Sequence, residues 1–132
     1  PQYARLVSIN ARRVVLAAGP LNYSLPVEML AILWRGEFTT LWRAPDGYSQ
    51  LLEPGARGVA VDVLARRLAS LRNEPLPPSG QVLAGALAAR LSAFQVANGL
   101  MTDGIAGPTV FMQLNRLQGM SEPHLRPDPV ER

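Results

Sequence analysis

Cysteine and lysine are both absent from this 132-residue chain, and histidine occurs once, at His124. Without thiols there is no disulfide, no thiolate metal site and no Cys nucleophile. A lone His in a Pro-rich tail leaves almost no material for metal chemistry or for Ser–His and Cys–His catalysis. No Gly-x-x-x-x-Gly-Lys-Ser/Thr run occurs, which excludes a phosphate loop within these residues. No run of ~18 apolar residues exists either, so no membrane-spanning helix is encoded here. The start, Pro1-Gln2-Tyr3, carries no signal-peptide pattern. It reads as a cut end, and any signal or anchor is expected in a larger parent protein.

Hydrophobic residues make up 48% of the chain, enough for a packed core in one ordinary domain or two very small ones. The net charge is +3, and every basic residue is Arg. The Arg residues are scattered and not interleaved with aromatics, so no nucleic-acid partner is expected.

The residue pattern predicts an α+β chain. Ala4 to Ile9 and Arg13 to Ala17 are short β-branched runs separated by Asn10 to Arg12, which suggests a hairpin. Gly19-Pro20 breaks the chain, Tyr23 to Leu25 forms a further short strand, and Pro26 to Leu33 a short helix. Glu37 to Arg43 alternates like a half-buried strand. After the Ala44-Pro45-Asp46-Gly47 turn, Tyr48 to Leu52 is expected to pair back. Trp34 and Trp42 read as core or interface residues rather than sugar-stacking platforms.

At Glu53-Pro54-Gly55 the period changes to helical. Val61, Leu64, Leu68 and Leu71 stripe a helix from Gly58 to Arg72. Leu83, Leu87, Leu91 and Phe94 stripe another from Gln81 to Ala97, closed by Asn98-Gly99. Pro108 opens a third helix, predicted to bury Val110, Phe111, Leu114 and Leu117. Ser79-Gly80 precedes the second helix much as Asp103-Gly104 precedes the third, a faint internal repeat. The expected divisions are a β-rich unit at 1–54, a three-helix domain at 55–118 and a flexible tail at 119–132.

The stretch Phe94-Gln95-Val96-Ala97-Asn98-Gly99-Leu100-Met101-Thr102-Asp103-Gly104-Ile105-Ala106-Gly107-Pro108-Thr109 closely resembles the signature of the three-helix peptidoglycan-binding domain. Gly58 to Leu64 fits the Gly-x-x-Val-x-x-Leu start of that family's first helix. Between them the chain departs from the pattern: Leu87 stands where the family has Thr, and Arg90-Leu91 replaces Ala-Val. At any one position of the motif a core, turn or cap role is the simpler reading. The resemblance implies peptidoglycan as partner. The polar residues near the turns, Gln95, Asn98, Thr102, Asp103 and Thr109, are the candidate ligand contacts, because a stem peptide presents amides and carboxylates.

Leu25-Pro26-Val27-Glu28 and Leu33-Trp34-Arg35-Gly36-Glu37-Phe38 through Pro45 resemble the closing part of a C39-like peptidase fold. The order of the two parts is similar to the periplasmic region of the A-component ATPase of the type II (general) secretion pathway. That resemblance implies a catalytically dead remnant, no cofactor and no metal. It implies a B-component partner, a homo-oligomer on the wall, and a periplasmic location reached through an inner-membrane anchor in the parent protein. The implied function is non-catalytic attachment to peptidoglycan during secretin placement. Two other readings stay open: the targeting module of a wall hydrolase, and an oligomerisation module that no longer binds the wall.

Overall fold

A computed structural model describes residues 3–122 and 125; His124 and the rest of the Pro-rich tail lie outside the described residues. The described chain forms two compact units divided between Thr40 and Leu41. The architecture is α+β, as the residue pattern predicts.

The first unit is a three-stranded antiparallel sheet in the order β1 (Arg5–Ile9), β2 (Arg13–Ala18), β3 (Leu21–Pro26), followed by the short helix α1 (Val27–Leu33). Asn10 makes the first turn by accepting the Arg12 and Arg13 N–H groups on Oδ1, both at 2.7 Å. An Asx side chain substitutes in this way for a backbone turn. Leu6 pairs with Leu16, Leu16 with Tyr23 and Val14 with Leu25, so one sheet face is apolar. On the other face Arg13 donates from Nε to Ser24 Oγ at 2.8 Å. Beyond α1, Trp34 donates from Nε1 to the Glu37 carbonyl at 2.7 Å and lies half exposed.

The second unit holds α2 (Val59–Leu71), α3 (Gly85–Ala97) and α4 (Pro108–Leu117) around one core. Val61, Leu64 and Leu68 meet Leu83, Leu87, Leu91 and Phe94, and Val110, Phe111 and Leu114 close the third side. All three helices end alike. The N–H of Glu74 reaches Ala69 O, that of Leu100 reaches Gln95 O and that of Met120 reaches Asn115 O. These six-to-one bonds, with Asn73, Gly99 and Gly119 at positive φ just before them, define Schellman ends that satisfy orphan carbonyls.

Several expectations change. Glu37 to Arg43 is not a strand, and Phe38 and Leu41 are exposed. The backbone of Arg43 is instead satisfied by side chains: Glu122 accepts its N–H at 3.0 Å and Asn115 donates to its carbonyl at 3.0 Å. Tyr48 to Leu52 does not pair back; Leu52 forms a single bridge with Ala106. The second helix starts at Gly85 rather than Gln81, because Val82 bridges Arg57 and Ala84 is extended. Leu117 is half exposed at the last position of α4.

Residues 41–54 lie with the helices, where Trp42 stacks on Phe111 at 6.3 Å between ring centroids and Tyr48 meets both rings edge-on at 5.3 Å. Gly119 to Glu122 is also held in this unit. Arg67 donates to Gln118 Oε1 at 2.6 Å, and Arg43 Nε donates to the Ser121 carbonyl.

Gly99 sits at φ +65° with open space where a Cβ would stand. Any cost of substitution there is therefore backbone strain alone. Gly99→Val is expected to lower the unfolding free energy by about 1–2 kcal/mol. Gly99→Asn is expected to cost less, since Asn visits the left-handed region more readily. Urea midpoints of the three proteins check the order.

Candidate functional site

The motif turn is built on one buried amide. Gln95 lies on the inner side of α3 at 1% exposure. Its Nε2 donates to Asp103 Oδ1 and to the Ile105 carbonyl, both at 3.0 Å, while its Oε1 accepts the Gly104 N–H at 3.2 Å. Both donors and the acceptor of the amide are thus occupied within the protein. Asp103 Oδ1 also accepts the Ile105 N–H at 3.0 Å. That backbone hydrogen bond is the main cause that holds the exposed Asp103 carboxyl below its ordinary pKa; desolvation opposes it, and the Gln95 amide adds a smaller lowering effect.

Asn98 is the residue that closes α3. Its Nδ2 donates to the Phe94 carbonyl at 2.8 Å and its Oδ1 accepts from Gln113 Nε2 at 2.9 Å, which ties α3 to α4. Thr102 is exposed, its hydroxyl donating weakly to the Leu100 carbonyl at 3.4 Å. Thr109 is exposed in the first turn of α4. Val96 and Met101 are exposed apolar neighbours in the same stretch. Gly107 stands at the start of α4 where a Cβ would come within 2.8 Å of Leu51 Cδ2, so a larger residue there would push aside the tip of that half-exposed side chain.

The five candidate residues therefore fall into two groups. Gln95 and Asn98 face inward and position the turn. Thr102, Asp103 and Thr109 are open to solvent and present two hydroxyls and a carboxylate. Such a set can exchange hydrogen bonds with amides and other polar groups without any covalent step. Gln113, Arg72, Glu74 and Arg90 carried no signal by spacing. Glu74 lies in the Pro-rich loop beyond α2, and its two ion pairs, with Arg72 and Arg90, exist only in three dimensions. Trp42 and Trp34 differ: Trp42 is half-buried on the core of the second unit, and Trp34 is half exposed in the first.

No model of a known protein family matches the chain. Over 123 residues, 93% of its length, it is 30% identical to general secretion pathway protein A of Aeromonas hydrophila. The chain is similar to a part of that secretion protein. It spans 22% of the relative's length. A solved structure, a periplasmic domain of the EpsAB fusion protein of the Vibrio vulnificus type II secretion system, is 35% identical. That match covers 91% of this chain and 51% of the other, with a TM-score of 0.46. The relative agrees with the resemblance to the A component of this pathway seen in the sequence.

Two consequences of the turn are measurable. Gln95→Ala strands the Gly104 N–H and the Ile105 carbonyl, and is expected to cost at least about 2 kcal/mol in a urea titration. Asp103 has a folded pKa below its unfolded value of about 3.9. Its contribution to stability is complete above the unfolded pKa and is lost as pH falls through the folded pKa. Asp103→Asn is therefore expected to flatten the loss of stability below about pH 4. Urea midpoints measured from pH 6 down to pH 2 check this.

Proposed function

We propose that this chain attaches non-covalently to peptidoglycan in the periplasm as the wall-facing part of a type II secretion assembly. The observation that carries the secretion part is the 30% identity to general secretion pathway protein A across nearly the whole chain. The periplasmic position and a B-component partner rest on the resemblance of the sequence to the A component of this pathway. The chain spans about a fifth of the relative. An ATPase, an inner-membrane anchor and a role in secretin placement therefore belong to the proposal for the parent protein. No helix among the described residues is long and apolar enough to cross a membrane.

Wall attachment rests on the motif turn. A rigid inner pair, Gln95 and Asn98, holds Thr102, Asp103 and Thr109 at the surface, where they meet the amides and carboxyls of stem peptides. Peptidoglycan is a repeating polymer, so copies linked within one assembly would gain avidity from weak single contacts. The hydrolase-module reading loses ground to the secretion relative. The oligomerisation reading keeps the departures at Leu87, which is buried in the core, and Arg90.

Co-sedimentation with purified sacculi tests the attachment. The parent chain is expected to stay bound at about 1 M salt, where screening acts within ~3 Å. The folded double variant Thr102→Ala/Thr109→Ala is expected to lose most of that binding. Release of the parent by salt, together with unchanged sedimentation of the double variant, would reduce the interaction to charge alone. The chain is also expected to free no soluble fragments from labelled sacculi; release that a point substitution in this chain abolishes would show it to be lytic.

A further inference from the structure

Asn115 is fully buried on α4, and its amide is committed to two acceptors. Its Nδ2 donates to the Arg43 carbonyl at 3.0 Å and to Glu122 Oε2 at 2.8 Å. The same Glu122 oxygen accepts the Arg43 N–H at 3.0 Å. Both backbone groups of Arg43 are therefore met by side chains, and neither bonds to another backbone group among the described residues. Arg43 returns the contact through Nε, which donates to the Ser121 carbonyl. Residues 118–122 reach this point as a strap that leaves the end of α4 and passes Arg67 of α2. Arg67 donates from Nε to Gln118 Oε1 at 2.6 Å and from Nη2 to Met120 Sδ at 3.4 Å. Burial pushes the Arg67 guanidinium below its ordinary pKa, and the charge of Glu122 opposes that shift. Polar contacts thus hold the strap: Gly119, Met120 and Ser121 are exposed, and none of them belongs to the apolar core.

This arrangement leaves one acceptor unmet. With Nδ2 turned toward Arg43 and Glu122, the buried Asn115 Oδ1 has no partner among the described residues. A buried acceptor without a partner carries a desolvation cost, which contact with water removes. The closed strap therefore combines exposed polar contacts with a built-in cost. Those are the properties of a segment that opens locally, below the free energy of global unfolding. We propose that residues 118–122 form a strap that opens while the three helices stay folded, and that its opening releases the entry of the second unit at residues 41–43. Trp42, next to Arg43, stacks on Phe111, so the strap also sets how firmly that ring is held. The strap couples two chain segments more than seventy residues apart. Whatever engages the chain beyond Glu122 acts through it on the segment that leads into the helices. The inference does not depend on the wall-attachment reading.

The test is amide hydrogen exchange followed by NMR on the full chain, without urea and at low urea. Leu64 and Leu91, fully buried in α2 and α3, report global unfolding. Arg43 is expected to exchange faster than both, at a rate nearly independent of urea, because local opening exposes little surface. Glu122→Ala is expected to speed exchange at Arg43 about tenfold or more, the loss of one hydrogen bond to a charged group. Val61→Ala, which cuts into the core on α2, is expected to speed Leu91 about tenfold and leave Arg43 unchanged, since it does not alter the balance between closed and open strap. A chain ending at Met120 is expected to match Glu122→Ala at Arg43 and to lower the backbone order of residues 41–43 in ¹⁵N relaxation. Several results overturn the proposal. One is an Arg43 that shares the rate and urea dependence of Leu64 and Leu91, which the parent chain alone decides. Others are an Arg43 that speeds together with Leu91 in Val61→Ala, or one that is unmoved in Glu122→Ala. Unchanged order at residues 41–43 in the shortened chain overturns the coupling.

Discussion

Gln95 is a neutral side chain at 1% exposure, and its amide makes three hydrogen bonds across residues 103 to 105. A buried amide left without partners costs several kcal/mol, so the side chain and the turn hold each other. The path of the chain beyond residue 105 depends on this contact. With the turn in place, Ala106 forms its two backbone bonds with Leu52 at 3.0 and 3.1 Å. Gly107 then fits beneath Leu51 and starts α4, and α4 carries Phe111 to the rings of Trp42 and Tyr48. One polar contact inside α3 thereby connects the loop before α2 to the last helix.

The second unit repeats this device with other residues. Val82, two residues after Gly80, bridges Arg57; Ala106, two residues after Gly104, bridges Leu52. In the first copy the turn is held by Asp62, whose Oδ1 accepts the Gln81 N–H at 2.8 Å. In the second it is held by Gln95. A charged carboxylate and a neutral amide do the same work because each presents an acceptor to a backbone N–H in a turn. The faint sequence repeat thus has a structural counterpart, and the likeness lies in hydrogen-bond acceptors rather than in residue identity.

The polar residues of the motif divide by direction. Gln95 and Asn98 are occupied inside the protein, which makes the turn rigid. In the wall attachment proposed above, that rigidity would lower the conformational entropy that short exposed side chains such as Thr102 and Thr109 lose on engaging a ligand. The same division separates two sorts of electrostatic feature. Asp103 is held anionic by the Ile105 N–H and the Gln95 amide at the turn, while Arg72, Glu74 and Arg90 form an ion-pair cluster over an apolar groove on the α2–α3 side.

Local sequence determined what local physics decides. The Asn10 turn, the β1–β2 hairpin, the start of α4 at Pro108 and the left-handed Gly99 were all legible, because each depends on neighbours a few residues away. The stripes Val61–Leu64–Leu68 and Leu87–Leu91–Phe94 were legible through their spacing. Tertiary structure alone decided the rest. The alternation of Glu37 to Arg43 is compatible with a strand, but Arg43 finds its partners in Asn115 and Glu122, more than seventy residues away, and no strand forms. Gln95 carried the same letter whether it faced a ligand or a turn; only packing placed its amide against Gly104. Glu74 reads as a loop residue until the end of α2 carries it between two guanidinium groups. Hydrogen bonds and ion pairs of this kind are set by three-dimensional approach, and a linear pattern records the donors and acceptors without recording which of them meet.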